Sequence, residues 1–156
     1  MGTVAALASV SACGLPSAGS SEEAGDFLKS ALRCRSIDIA APHEVQRVEA
    51  MGMTGINGGG ECDDPAGGGG DVDFFTVEDM EAFQTVIRGD DDQQDELMIG
   101  DDFVVDPGSD DQRRRLLEAG MQFLNCTPNF EAPEGKSADD SVIDGCFTTD
   151  YSEDLD

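Results

Sequence analysis

"VDFFTVEDMEAF", residues 72–83, decides how the rest of the chain is read. Val72 and Phe74 alternate with Asp73, and a period of two suits a strand with one buried face. A few residues later the period changes. Met80, Phe83 and Ile87 recur at helical spacing, with Thr76 as the cap and Asp79 three residues on. A strand therefore feeds directly into a helix, and the segments on either side are sorted by the same two periods. Downstream, "RGDDDQQDE" (88–96) reads as a solvated acidic loop. "LMIGDDFVVD" (97–106) is either one long strand with a bulge at Gly100 or two strands around a turn at Gly100-Asp101-Asp102. Pro107 ends it, and Ser109 with Gln112 starts a last helix carrying Leu116, Leu117 and Met121.

Upstream, the glycines at 67–70 belong to a loop, because their conformational entropy is too costly for a regular element. "MTGINGGGECDD" (53–64) before them offers a short strand ending near Cys62. "APHEVQRVEAMG" (41–52) predicts a short helix: Pro42 suits a first turn, Val45, Val48 and Met51 share a face, and Gly52 stops it. The best-patterned helix follows Ser20, which has capping-box spacing to Glu23. Ala24, Phe27, Leu28, Ala31 and Leu32 then form one stripe that delivers Cys34 at the helix end. The predicted order is helix, helix, strand, strand, helix, strand, helix. That is an α+β fold with a small antiparallel sheet of three to four strands packed against helices. The organisation predicted is a signal-like segment (1–12), Cys13 with a flexible tether (13–21, containing "GLPSAGSS"), the α+β domain (22–126) and an acidic irregular tail (127–156).

A chain of 156 residues with 38% apolar content fits one small domain with a modest core. Its 34 acidic against 9 basic residues give a net charge of −25, which opposes compaction and repels nucleic acid and anionic headgroups. No apolar run approaches the roughly 20 residues that span a bilayer. Four of the five cysteines, Cys34, Cys62, Cys126 and Cys146, make an even set suited to an oxidising compartment. Three connectivities are open to them; pairing Cys34 with Cys62 and Cys126 with Cys146 closes two loops of modest length, each contributing about 3 kcal/mol. Zinc is disfavoured, since there is no C-x-x-C pair and the single histidine, His43, has no partner at ligand spacing.

The fifth cysteine lies in "VSACG" (10–14), which resembles a bacterial lipobox. The resemblance implies diacylglycerol on Cys13 and residence at the extracytoplasmic face of the bacterial cytoplasmic membrane. A looser resemblance covers roughly residues 24–124. "DFLKSALRC", "NGGGEC", "VDFFTVEDMEAF", "IGDDFVV" and "RRRLLEAG" are together similar to small secreted lipoproteins of actinobacteria. That family implies a helix ending in Cys, a partner Cys on the first strand and a Phe-bearing strand before a helix. It implies no activity.

Chemistry-bearing patterns are sparse. His43, beside Pro42 at a helix start, has no Ser or Cys in motif context and reads as a surface residue. The glycines at 67–70 lack the lysine and following helix of a phosphate loop, and Asp71 would repel phosphate. Asp90, Asp91, Asp92 and Asp95 are the candidates for calcium, but their spacing departs from the EF-hand pattern, so no cofactor is expected. Arg113, Arg114 and Arg115 form the one basic cluster, read either as a solvent face answering Asp110 and Asp111 or as a docking point for the acidic tail. The expectation is a lipid-anchored binding or accessory module without catalytic activity, with the membrane and an envelope protein as partners. The alternatives are an accessory subunit of a membrane protein complex and an acidic inhibitor or nucleic-acid mimic acting on a basic partner.

Overall fold

The computed structural model describes residues 14–64 and 70–155. Along the chain run α1 (Ser21–Leu32), β1 (Ser36–Ile39), α2 (Pro42–Ala50), β2 (Ile56–Asp63), β3 (Val72–Val77), α3 (Met80–Arg88), β4 (Met98–Ile99) and β5 (Phe103–Asp106). Then come α4 (Asp110–Glu118), β6 (Gln122–Asn125), β7 (Ala138–Asp140), β8 (Phe147–Thr149) and a closing 3-10 turn, Glu153–Leu155. The strands join in one antiparallel sheet ordered β1-β2-β3-β5-β4-β6-β8-β7. The fold is α+β as expected, but the sheet has 8 strands, not three to four.

Residue alternation sorts the side chains of this sheet onto two apolar faces. Val72, Phe74, Phe103, Val105 and Phe123 point to the face where Leu28 and Leu32 of α1 and Leu116 of α4 pack. Val77, Ile99, Val104 and Leu124 point to the other, where Val45 of α2 and Phe83 and Ile87 of α3 pack. Burying four phenylalanines completely (Phe74, Phe83, Phe103 and Phe123) contributes about 1.5–3 kcal/mol per side chain before entropy is counted. Phe27, on the same stripe of α1, sets its ring edge-on against Phe103 with centroids 5.3 Å apart.

The helix ends follow local chemistry. Ser20 Oγ accepts from the Glu23 N–H at 3.2 Å, and Arg33 closes α1 in the left-handed conformation, φ 59°. In α2 the Glu44 carboxylate accepts the Ala41 N–H at 2.7 Å. The cap of α3 is Asp79, whose Oδ1 accepts the Ala82 N–H at 2.9 Å, and not Thr76. Thr76 stays in β3 between Gly58 and Phe103, so its buried hydroxyl is out of reach of the helix. Met51 caps α2 and is 75% exposed, so it does not share the buried face of Val45. Met121 lies beyond α4, buried in the turn leading to β6.

"LMIGDDFVVD" folds as two strands around a turn: Met98 pairs with Val105, Ile99 with Val104, and the Gly100 N–H donates to the Phe103 carbonyl at 2.8 Å. That turn also holds the segment expected to be a free tether. Asp102 accepts from Ser17 Oγ at 2.8 Å and from the Ala18 N–H at 2.6 Å, while the Asp101 N–H donates to the Pro16 carbonyl at 2.8 Å. Residues 16–18 are thus a strap on the domain, with Ala18 buried in the α1–α4 core.

The segment after Cys126, expected to be an irregular tail, supplies β7 and β8. Thr149 pairs with Phe123 and Phe147 with Asn125, so the tail extends the sheet from β6. Two disulfides staple the fold, Cys34–Cys62 from the end of α1 to β2 and Cys126–Cys146 from β6 to the loop before β8. Stable pairs of this kind belong to oxidising, non-cytosolic compartments. The arginines of α4 are not a uniform solvent face. Arg115 donates to the fully buried Asp64 carboxylate at 2.6 Å and to the Leu32 carbonyl at 2.6 Å, tying α4 to the ends of β2 and α1. Arg113 pairs with Asp110 at 3.0 Å and reaches Asp154 of the C-terminal turn at 3.5 Å, while Arg114 is exposed.

Candidate binding groove

Among the described residues, one end of the sheet face that carries α2 and α3 is left uncovered. Asp38 on β1 lies directly opposite Glu61 on β2, Glu61 opposite Asp73 on β3, and Asp73 opposite Asp106 on β5. Directly opposed residues of an antiparallel pair project from the same face, with Cβ atoms about 4.5–5.5 Å apart. The register therefore lines up four exposed carboxylates as a ladder across four neighbouring strands. Their inward neighbours along the strands, Phe75 and Val104, turn to the same face and belong to the apolar cluster under α2 and α3.

Like charges opposite each other destabilise a sheet, and the ladder shows the electrostatic consequence. Glu61 has its carboxyl pKa raised, by lost hydration first and then by Asp71 and Asp73, with a hydrogen bond to Asp71 adding to the rise. Asp73 is raised by lost hydration and by Asp71. Asp106 is raised by lost hydration, Asp73 and Glu96, against a smaller opposing effect from Arg113. Among the described residues no lysine or arginine forms an ion pair with Asp38, Glu61 or Asp73.

Beside the ladder runs a groove of about 260 Å³. Its apolar lining comes from Ala40 just after β1, Val45 and Val48 on α2, and Phe75 on β3; Ile39, the last residue of β1, borders it, and Asp38, Glu44, Glu61 and Asp73 stand around it. Glycine makes room at the floor. A Cβ on Gly59, on the groove face, would sit 2.5 Å from the Phe74 carbonyl oxygen and 3.0 Å from the Phe75 ring, while one on Gly60 would point to the opposite face, against the Phe74 ring at 2.8 Å. The "GGG" of residues 58–60 thus allows β1 and β3 to close tightly on β2 at the groove.

The residues singled out in the sequence lie elsewhere. His43 is exposed in the first turn of α2. Asp90 and Asp91 are occupied within their own loop, accepting from the Asp92 N–H at 3.1 Å and from Gln94 Nε2 at 3.2 Å, and Asp92 and Asp95 are exposed. Among the described residues no three His, Cys, Asp or Glu side chains come together as a metal would require. Cys13, the segment 1–12 and Gly67 to Gly69 lie outside the described residues. Among those described, no helix is long and apolar enough to cross a membrane. No protein family, curated protein or solved structure matches the chain.

Only Asp73 of the four ladder residues stood out in the sequence, as the polar member of an alternating run. The other three become visible once register is known, and register is set by long-range pairing that no local pattern carries.

Proposed function

We propose that the chain is a binding or accessory module of the bacterial cell envelope, anchored at the extracytoplasmic face of the membrane through a lipid on Cys13 and using the groove between β1, β3 and α2 as its recognition surface. The observation that carries the reading is the uncovered ladder beside an apolar groove. Four opposed carboxylates weaken the free protein, and an arrangement with that cost is explained by a partner that relieves it. The two disulfides support residence outside the cytosol, and the lipobox resemblance supports the anchor. Confinement to a membrane plane raises the effective concentration of a module toward envelope partners without new contacts.

Expression of the full reading frame in a bacterial host, with Cys13→Ser beside the parent, tests the anchor. Detergent-dependent release of the parent and free solubility of the variant are expected. A variant that stays with the membrane refutes it. The ladder also favours a second reading, an acidic inhibitor or nucleic-acid mimic of a basic cytosolic partner. That reading requires five free thiols in freshly lysed cells, whereas the envelope reading, with Cys13 acylated on sulfur and two bridges formed, requires none.

A further inference from the structure

Resting on the groove as the recognition surface, we infer that its occupant is a basic, partly apolar polypeptide segment: an extended stretch of a protein partner that sets lysines or arginines on the ladder and an aliphatic side chain in the groove. Charge complementarity selects the chemistry. Asp38, Glu61, Asp73 and Asp106 present four carboxylates on one surface; Arg113 acts on Asp106, and among the described residues no lysine or arginine forms an ion pair with the other three. Glu61 and Asp71 are close enough to share a hydrogen bond, so a cation here separates two acids that the free protein forces together.

Size selects a segment of chain over a compact ion. Strands lie about 4.8 Å apart, so three spacings from β1 to β5 cover about 14 Å, the reach of four to five extended residues at about 3.3 Å each. The groove lies at one end of this span and not at its middle. It is lined by Ala40, Val45, Val48 and Phe75, and its volume of about 260 Å³ takes one aliphatic side chain with the backbone that carries it. Val48 of α2 and Phe75 of β3 are only half-buried at the groove, which leaves an apolar surface for that side chain to cover. A purely polycationic partner satisfies the ladder and leaves this surface wet. A purely apolar one leaves the carboxylates in mutual repulsion.

The test uses the oxidised full chain and two fluorescein-labelled peptides, Gly-Lys-Leu-Lys-Leu-Lys and Gly-Lys-Gly-Lys-Gly-Lys, titrated by fluorescence anisotropy at low and at physiological salt. The Leu-bearing peptide is expected to bind at least tenfold tighter than the Gly-bearing one. Glu61→Gln with Asp73→Asn should weaken it at least tenfold, and Asp92→Asn with Asp95→Asn, equal in charge change, should not. Equal weakening by the two pairs reduces the effect to net charge and overturns the inference, as does equal affinity for the two peptides. Circular dichroism confirms that each variant is folded. A photo-crosslinking residue in place of Val48 separates this inference from the reading beneath it. Cross-linking to an envelope protein in cells, with no preference between the peptides, overturns the basic occupant and keeps the groove; no cross-link and no peptide preference overturns both.

Discussion

Replacing Asp73 with asparagine should stabilise the protein. The side chain keeps its shape and its place in β3, and the substitution removes the charge facing both Glu61 and Asp106. Each like-charge pair across strands costs about 0.2–1 kcal/mol, so relief of two gives about 0.4–2 kcal/mol at neutral pH and low salt. For a chain of this length a gain of about 1 kcal/mol appears as a rise of about 2–4 °C in Tm. The pH dependence fixes the cause. Glu61, Asp73 and Asp106 have folded-state pKa values raised above those of the unfolded chain. The stability such groups contribute is complete below the unfolded carboxylate pKa, about 4, and is lost as pH rises through the raised folded values. Parent and variant should therefore converge near pH 3 and separate by pH 7. Thermal unfolding followed by circular dichroism at pH 3, 5 and 7, in 10 mM and 1 M NaCl, reads this directly. The gain should shrink in 1 M salt, where the screening length falls to about 3 Å. A variant less stable than the parent at pH 7 and low salt, or a gain untouched by salt, would refute the ladder as a source of repulsion.

Arg115→Ala leaves the Asp64 carboxylate buried without its cation, and should cost about 3–5 kcal/mol in a urea unfolding curve. Removing the second staple with Cys126→Ser and Cys146→Ser should cost about 3 kcal/mol and speed hydrogen exchange in β7 and β8, while the amides of β2 and β3 keep their protection relative to global stability. Gly25→Ala places a Cβ 2.8 Å from Ile37 Cγ2, and should lower Tm through displacement of β1 from α1, against the usual gain from alanine in a helix. Calcium at 1 mM should move Tm no more than magnesium at the same concentration, since Asp90 and Asp91 are engaged within their loop; a saturable, calcium-specific rise would place a site there.

What was legible in the sequence divides by the range of the interactions involved. The helix from Ser21 and the one from Met80 follow from caps and apolar spacing within a dozen residues; the first starts where Ser20 predicts, and the second starts three residues later than a Thr76 cap predicts, after Asp79. The favoured pairing of the four cysteines, drawn from loop length, is the one the structure shows. Strands set by distant partners were not legible. "SIDI" has one face turned to solvent at an edge, and "ADD" of β7 has no apolar residue larger than alanine; each is a strand because a neighbour offers it hydrogen bonds. The tail was read from composition, which is acidic and poor in periodicity, whereas its order comes from pairing with β6 and from Cys146. The ladder was hidden for the same reason. Its residues stand at 38, 61, 73 and 106 in a chain where acids are common, and only the sheet makes neighbours of them.

The strap at residues 16–18 limits how far a lipid-held domain can roam. With Pro16 and Ala18 bound to the turn between β4 and β5 and Leu15 packed on the core, only Gly14 separates the held chain from Cys13. At about 3.5 Å per extended residue, the leash from an acylated Cys13 to Leu15 would be about 7 Å long. A domain on so short a leash does not sweep a hemisphere above the bilayer. An acylated Cys13, as proposed, would hold the β4–β5 turn toward the headgroups, and a partner would meet the domain from the sides and from above.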